Sequence, residues 1–532
     1  MNHRRRMLGR AAALAGAALL ARPGWAAGAA APAGPAAPHA PLTDEERALH
    51  ALNRLGYGPR PADAEAIAAE GAGPWLRRFL AEQLAPGRLA PPEALTARLA
   101  GLEVLRLDAA ELLGRYREAQ QAAREARRQQ AGEQAGADAA RADTPNPAPN
   151  PAREQVRLLV AQAATARLAR ALLSPAQLEE VLTEFWFNHF NVFAGKGPVG
   201  LLVADYEQRA IRPFVLGRFR DMLGATARHP AMLVYLDNAQ SVAPGYVLPR
   251  AARQPDAPPR PAGLNENYAR ELMELHTLGV DGGYTQRDVT ELARMLTGWG
   301  LDPRQTRTGG RGELFAFDAR KHDAGSKTWL GQTVAGAGQA EGERALDVLA
   351  AHPATARHLA FKFAQAFVAD APPRALVDRL ADSFRTSGGD LREFTRTLIE
   401  ADEFWRREVY QAKFKTPYQY LLSSLRALDL SEASLANPQP LLGALAQAGQ
   451  PLYGAATPDG YKATAAAWRN PEALTQRVQL ATTLGRRSGI GAEQLGRTLG
   501  AGLGAPTRQA LAGEPAARQL PLLLASPDFM MR

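Results

Sequence analysis

The sequence predicts a mainly α-helical, multi-helical globular protein with a small β-hairpin near residues 314–334. Apolar side chains recur every three or four residues along most of the chain, which places them on one face of a helix. The clearest run comprises Leu178, Val181, Leu182 and Phe185. Two short runs rich in aromatic and β-branched residues flank a polar turn, which is typical of strands. These runs are Phe315-Ala316-Phe317 and Thr328-Trp329-Leu330.

The charge balance gives little reason to expect a nucleic-acid-binding protein. The 532 residues include 63 Lys and Arg against 54 Asp and Glu, a net charge of +9. Five arginines lie in the first 27 residues, which contain no Asp, Glu or Lys, so the remainder carries only +4. An evenly mixed, weakly positive chain lacks the basic patch that binding to a phosphate backbone requires.

The chain contains no cysteine. This excludes disulfides, thiolate catalysis, Cys-ligated zinc, iron–sulfur clusters, covalent c-type haem and a lipoprotein anchor. Gly-x-Ser-x-Gly, His-Glu-x-x-His and P-loop motifs are also absent from the sequence. No nucleotide or haem motif is present. A divalent metal bound by His, Asp and Glu stays open as a cofactor, with its identity unknown.

Residues 1–27 have the three parts of an export signal. The basic part contains Arg4-Arg5-Arg6-Met7-Leu8, close to the twin-arginine pattern of two arginines, any residue and two apolar residues. A short apolar run and small residues around 26–29 follow. The alternative is an ordinary secretory signal with an extra arginine. No later segment is apolar enough for a permanent membrane anchor, so we expect a periplasmic or secreted protein.

The rest of the sequence divides into five regions. Residues 28–42 are an Ala/Gly/Pro-rich flexible tether, and residues 43–119 form an N-terminal helical region. Residues 120–152 are a low-complexity insertion, predicted to be an exposed helix followed by a linker. Residues 153–340 form the main helical domain with the candidate site, and residues 341–532 form a C-terminal helical region.

Residues 265–279 and 285–298 predict two consecutive helices that form an αα-hairpin. Asn265 is the expected N-cap of the first helix and Gly279 its end. Thr285 and Asp288 form a capping box for the second. Projected on a helix, one polar arc contains Glu266, Asn267, Arg270, Glu271 and Glu274.

That polar arc has two interpretations. It is either a solvated face laced by Glu266–Arg270 and Arg270–Glu274 ion pairs, or one side of a functional site. His276 falls among the apolar residues of the opposite arc, so this helix alone cannot direct Glu271, Glu274 and His276 at one metal. A hydrogen-bonded core histidine is the simpler interpretation of His276.

Several segments together resemble the bacterial family catalogued as domain of unknown function 1800. The resemblance covers roughly residues 45–532, and the main departure from the family pattern is the 120–152 insertion. Part of the resemblance lies in the αα-hairpin, in residues 265–279, Gly282 to Gln286 and Leu296-Thr297-Gly298-Trp299. Other matching segments are Phe185-Trp186-Phe187-Asn188-His189-Phe190, Arg228 to Leu233, Tyr235 to Asn238, His322-Asp323, Lys415-Thr416-Pro417, Gly449-Gln450-Pro451-Leu452 and Pro458-Asp459-Gly460-Tyr461.

The resemblance implies export but no reaction, because the family is itself uncharacterised. It also implies a partner, since members are often encoded beside a second exported family of unknown function, number 1501. We therefore expect a co-exported protein of that family as a binding partner.

The polar residues of these segments supply the candidate site. Imidazole and carboxylate groups serve both acid–base hydrolysis and a metal site without cysteine. The catalytic candidates are His189, Glu266, Glu271 and His322; the binding candidates are Asn188, Asn267, Arg270, Glu274 and Asp323. The alternative for each histidine is a cap or a core hydrogen bond. Glu184, Asp205, Asp237 and Asn238 are further polar residues of the same segments.

Two functions follow from these candidates. One is a hydrolytic, potentially metal-assisted enzyme acting on an envelope or extracellular polymer, with the candidates around a cleft under the Pro-rich loop 239–264. The other is a non-catalytic binding or assembly partner of a co-exported protein, with the polar arc as its interface. A redox protein is a minor third alternative without a visible motif.

Overall fold

A computed structural model describes residues 40–134, 151–246, 263–302, 304–305 and 313–532. The predicted signal peptide, the tether up to residue 39, the second half of the 120–152 insertion and most of the 239–264 loop lie outside these ranges. The described chain is mainly α-helical with two small antiparallel sheets, which confirms the predicted fold class.

In the described part of the chain, eight α-helices precede residue 210. The first begins at Asp44 with the predicted capping box, in which Thr43 and Glu46 pair reciprocally. The fifth helix continues as far as Gln134. The helices are α1 (Asp44–Arg54), α2 (Pro61–Glu70), α3 (Ala72–Gln83), α4 (Glu93–Ala100), α5 (Ala109–Gln134), α6 (Pro151–Leu173), α7 (Gln177–His189) and α8 (Val199–Tyr206).

The middle of the chain contains the predicted αα-hairpin. Its second helix begins with the predicted Thr285–Asp288 capping box. Its first helix is shorter than residues 265–279 at both ends. It begins at Asn267 with Glu266 as the N-cap, so the predicted N-cap Asn265 is wrong. It ends early because the Thr277 hydroxyl donates to the Leu272 carbonyl and the Gly279 N–H donates to the Met273 carbonyl. The helices are α9 (Phe219–Arg228), α10 (Pro230–Tyr235), α11 (Asn267–Glu274) and α12 (Gln286–Met295).

Both predicted strand segments are strands, and they belong to two different sheets. The strands are β1 (Trp299–Leu301), β2 (Phe315–Phe317), β3 (Lys327–Trp329) and β4 (Gln332–Val334). Strand β1 pairs with β2, and β3 pairs with β4 in a hairpin. Gly298 enters β1 with a φ of +82°, and a Cβ there would lie 2.7 Å from the Asp318 carbonyl oxygen, so only glycine fits.

The C-terminal half is helical in the described residues. The longer helices are α13 (Gln339–Ala351), α14 (Pro353–Phe367), α15 (Arg374–Thr386), α16 (Leu391–Glu400), α17 (Pro417–Ala427) and α20 (Pro471–Arg487). The shorter ones are α18 (Ser431–Leu435), α19 (Gln439–Gln447), α21 (Ala492–Leu499), α22 (Ala505–Ala512), α23 (Ala516–Leu524) and α24 (Pro527–Met530).

One connected hydrophobic core runs from Ala48 to Met530 and joins all of these regions. Helix α7 lies inside it, with Leu178, Leu182 and Trp186 almost completely buried. Because these residues recur at helical spacing, the opposite face of α7 is free to carry polar side chains. Within the described ranges, no helix is both long and apolar enough to cross a bilayer.

Candidate functional site

His189 ends helix α7 and is buried beside two other histidines. Its Nε2 lies 3.1 Å from the His276 carbonyl oxygen, and its ring centroid lies 6.2 Å from His276 and 6.3 Å from His358. Burial lowers the pKa of His189 well below its usual value and that of His276 to about 3. These rings are therefore neutral at physiological pH.

Asn188, one residue earlier, fastens α7 to the segment 458–461. Its Nδ2 donates to the Tyr461 carbonyl at 2.8 Å, and its Oδ1 accepts from the Tyr461 N–H at 2.7 Å. Gly460 has a φ of +66°, and a Cβ there would lie 2.5 Å from Asn188 Oδ1. The glycine is required because the two backbones approach so closely.

The polar arc of α11 lies at the surface. Glu266 accepts hydrogen bonds from Thr290 Oγ1 at 2.6 Å and Gln286 Nε2 at 2.7 Å, and pairs with Arg270 at 3.3 Å. Arg270 donates its second bond to Gln286, so the predicted Arg270–Glu274 pair is replaced by a link between the two helices. Asn267 is exposed.

Glu271 and Glu274 are half-buried on the same arc. Burial raises the pKa of Glu271, and the negative charge of Glu274 adds to the effect. Glu271 also acts electrostatically on Tyr235, whose pKa burial raises above its usual value. The arc therefore lies near the end of α10.

His322 and Asp323 lie in the turn between β2 and β3 and belong to two ion-pair groups. His322 Nδ1 lies 2.9 Å from the Thr297 carbonyl oxygen, and Nε2 lies 3.1 Å from Glu341 Oε1. Glu341 Oε2 lies 2.6 Å from Lys327 Nζ, and both of these side chains are fully buried. Asp323 pairs with Arg294 at 2.7 Å.

The catalytic candidates His189, Glu266, Glu271 and His322 thus occupy separate positions, and no hydrogen bond joins any two of them in the described residues. In the same ranges, no group of three or more His, Asp or Glu side chains is arranged to hold a metal ion. The geometry gives no support for a shared centre built from these four.

A cavity of about 90 Å³ opens beside α7. Val181, Glu184 and Asn188 line it at helical spacing. Its other walls come from α6, the end of α14, the start of α17, the segment 450–463 and Arg532. Their lining residues include Arg167, Ala366, Phe367, Thr416, Tyr418, Gln419, Gln450, Leu452, Tyr453, Tyr461 and Lys462.

Glu184 is the carboxylate of this cavity. The Tyr57 hydroxyl donates to its Oε2 at 2.9 Å. Burial raises the pKa of Glu184, and the nearby Arg167 and Arg532 charges and the Tyr57 bond only partly oppose that rise. A carboxyl group held toward its neutral form in a cavity is suited to donate a proton.

Arg167 and Tyr453 are fixed beside Glu184. Arg167 pairs with the buried Glu207 at 3.4 Å, and its guanidinium lies 4.8 Å from the Phe187 ring centroid. Tyr453 donates to Glu207 at 3.0 Å and adopts a left-handed backbone with φ of +59°. A bulky residue in that region is strained, and such strain is concentrated at functional sites.

Sequence reasoning passed over most residues of the cavity, although a signal was present. The segments 185–190, 415–417, 449–452 and 458–461 all carry the family resemblance, and each contributes to the cavity wall. Asn188 was among the binding candidates, and Glu184 was among the further polar residues. Arg167 and Arg532 lie outside these segments, and only the fold brings them to the cavity.

A family model described as "Protein of unknown function (DUF1800)" matches residues 50–531. No curated protein and no solved structure matches the sequence.

Proposed function

The chain belongs to the DUF1800 family of proteins of unknown function, and we propose that it is an exported hydrolytic enzyme with its active site in the cavity beside α7. The observation that carries the proposal is the position of Glu184. This carboxyl group lines a cavity, has a raised pKa and has two arginines as electrostatic neighbours. The proposed substrate is an envelope or extracellular polymer.

The proposed chemistry uses Glu184 first as an acid and then as a base. Its proton passes to the leaving atom of the polymer as the bond to that atom breaks. Water adds to the other fragment and returns a proton to Glu184, so atoms and charge balance. Arg167 and Arg532 would stabilise negative charge that develops in the cavity, and the Tyr57 hydroxyl would hold the carboxylate in place.

Glu184→Gln tests this function directly. The full chain is incubated with isolated cell-wall and extracellular polymer, and soluble fragments are quantified by mass spectrometry. We expect the variant to lose about 10²–10⁴-fold in rate, the usual contribution of acid–base catalysis. The activity of the unchanged protein should fall as pH rises through the pKa of Glu184, because the proton donor is lost.

Glu266→Gln is the matched control, since it makes the same change in the polar arc. It should keep the activity. Loss of activity in Glu266→Gln with full activity in Glu184→Gln would overturn the cavity as the active site and favour the arc.

Export is the second part of the proposal and rests on residues 1–27. Replacing Arg4 and Arg5 by lysine should leave the protein in the cytoplasm, because the twin-arginine route reads that pair. Cell fractionation measures the outcome. Continued export of the variant would instead support the ordinary secretory signal.

A non-catalytic partner function is favoured by one separate observation. Val280, at the turn of the αα-hairpin, is 69% exposed beside the polar arc. A co-exported protein of the family numbered 1501 is the proposed partner. Co-purification should be lost in Val280→Asp and kept in Leu158→Asp, a control at another exposed apolar residue. If both variants co-purify with the partner equally well, the hairpin is not the interface.

A further inference from the structure

Two polar side chains that line the cavity each have an atom without a partner in the described chain. Arg532 is 7% exposed, and its Nη2 donates to the Ala366 carbonyl at 2.9 Å while its Nε makes no hydrogen bond. Tyr418 is 1% exposed, and its hydroxyl makes none. Buried donors without acceptors cost free energy, which a ligand that supplies the acceptor recovers.

The backbone holds Tyr418 in place independently of that hydroxyl. Its N–H donates to Gln450 Oε1 at 2.8 Å, and its ring meets Tyr57 edge-on at 5.7 Å between centroids. Tyr57 in turn donates to Glu184. Tyr418 also interacts electrostatically with Glu184, so it lies close to the proposed proton donor.

The Arg532 guanidinium donates to a carbonyl oxygen and makes no ion pair within the described residues. The carboxylates that act on it electrostatically are Glu184 and Asp370. Asp370 is already paired with Lys413 and accepts a backbone hydrogen bond from Ala465. The buried Arg54 also acts on Asp370, and it donates only to carbonyl oxygens in the described residues. A ligand carboxylate in the cavity would supply Arg532 with an ion-pair partner.

We propose that the cavity binds a carboxylate on a short apolar stem, with Arg532 and Tyr418 as its hydrogen-bond donors. The volume of the cavity suits a small ligand. A cavity of about 150 Å³ holds benzene, so this cavity of about 90 Å³ would hold a smaller molecule. Phe185 and Phe367 provide apolar wall for the stem. The inference rests on the proposed function, because it assumes that this carboxylate belongs to the substrate.

Propionate is the probe, and propionamide is its neutral counterpart of the same shape. Each is titrated into the full chain by isothermal calorimetry. We expect propionate to bind at least tenfold more tightly, because a guanidinium–carboxylate bond is charge-assisted. Propionate should also inhibit release of polymer fragments competitively.

Substitutions of Tyr418 and Arg532 test whether these residues donate the hydrogen bonds to the carboxylate. Tyr418→Phe should weaken propionate at least tenfold, whereas Tyr420→Phe, on the same helix but away from the cavity lining, should bind it normally. Arg532→Gln should remove the preference over propionamide. If Arg532→Gln fails to fold, the two tyrosine variants still decide the question, since Tyr418→Phe removes no hydrogen bond of the described protein.

Equal binding of propionate and propionamide, binding of neither, or unchanged binding by Tyr418→Phe would each overturn the proposal. Propionate that binds without inhibiting hydrolysis would overturn its assignment to the substrate. Failure of the proposed function is distinguishable: Glu184→Gln should abolish hydrolysis and retain the preference for propionate. A propionate preference in a protein that hydrolyses no polymer would reject the enzyme and keep the carboxylate site.

Discussion

Two groups of buried charges in this protein differ in how completely they are paired. In the first, which we call the paired network, His322 and Lys327 both lie against Glu341. Glu341 also accepts hydrogen bonds from the backbone N–H groups of Ala337 and Gly338. In the second, the cavity beside α7, Arg532 and Tyr418 each retain an unpartnered atom.

The difference distinguishes a structural role from a binding role. The paired network holds the turn before β3 against the start of α13, and its polar groups are used by one another. Around the cavity, Glu184 and Arg167 have partners, whereas the Tyr418 hydroxyl and Arg532 Nε have none in the described chain. Burial and charge are common to both places, and buried atoms without a hydrogen bond also occur elsewhere in the described chain, Glu341 Oε2 among them. Glu341 Oε2 has an ammonium neighbour at 2.6 Å. What distinguishes the second place is that its unpartnered groups belong to residues that line a cavity together with Glu184.

Lys327→Met is the strongest test of the paired network. It leaves Glu341 buried without its ammonium partner, so we expect a loss of about 3–5 kcal/mol in the free energy of unfolding. Urea denaturation of the full chain measures it. Adding Glu341→Leu should recover only part of the loss, because it removes the uncompensated charge but leaves the Ala337 and Gly338 N–H groups without their acceptor.

Arg497→Met is the control for Lys327→Met, since it breaks an exposed pair with Glu493. Its cost should stay below about 1 kcal/mol. Similar costs for the two variants would show that the paired network is not structural, and His322 would again be a catalytic candidate.

His276 sharpens the comparison because it is buried like His322 but has no partner for its Nε2 within the described residues. Its folded pKa is about 3, whereas an unfolded histidine titrates near about 6.5. Between these values the unfolded state binds the extra proton, so stability falls as pH falls. The slope for one histidine is about 1.4 kcal/mol per pH unit, or roughly 3 kcal/mol from pH 6.5 to 4.

His276→Leu should remove that contribution from the acid dependence of unfolding. His189 and His358 remain, and because burial lowers both of their pKa values, part of the slope should persist. Denaturation at pH 8, where all three rings are neutral, gives the packing cost of the substitution separately. An unchanged slope in the variant would mean that His276 is accessible to protons in the folded protein.

Interactions between residues close in the sequence were enough to predict the fold class and several helix ends. The capping boxes at Thr43 and Thr285 begin helices where predicted, because each depends only on residues three positions apart. The end of α11 was predicted too far along, since its last carbonyls are taken by Thr277 and Gly279. Partners of a strand are also non-local: Phe317 pairs with Trp299.

The candidate site was harder to predict, for the same reason. Asn188 was chosen for its segment, and it does line the cavity. His322 was chosen for its position in a turn, but its partners Lys327 and Glu341 could be identified only from the fold. Arg532 has no local signal at all. A sequence gives the residue types of a site, while unpartnered atoms become visible only when all neighbours are placed.

Tyr418 and Tyr420 give the smallest and most closely matched test of the comparison. Both are 1% exposed on helix α17. The Tyr420 hydroxyl donates to the Leu524 carbonyl at 3.1 Å, with the Arg477 carbonyl at 3.2 Å, whereas the Tyr418 hydroxyl has no partner in the described chain.

Tyr420→Phe should therefore cost about 0.5–1.5 kcal/mol in the free energy of unfolding, because it removes a hydrogen bond and leaves buried carbonyls short of a donor. Tyr418→Phe should be neutral or slightly stabilising, since it removes a buried hydroxyl that is unpaired before ligand binds. Urea denaturation without added carboxylate compares the two. An equal loss in both would mean that the Tyr418 hydroxyl has a structural partner, and the cavity would then be as fully paired as the network at His322.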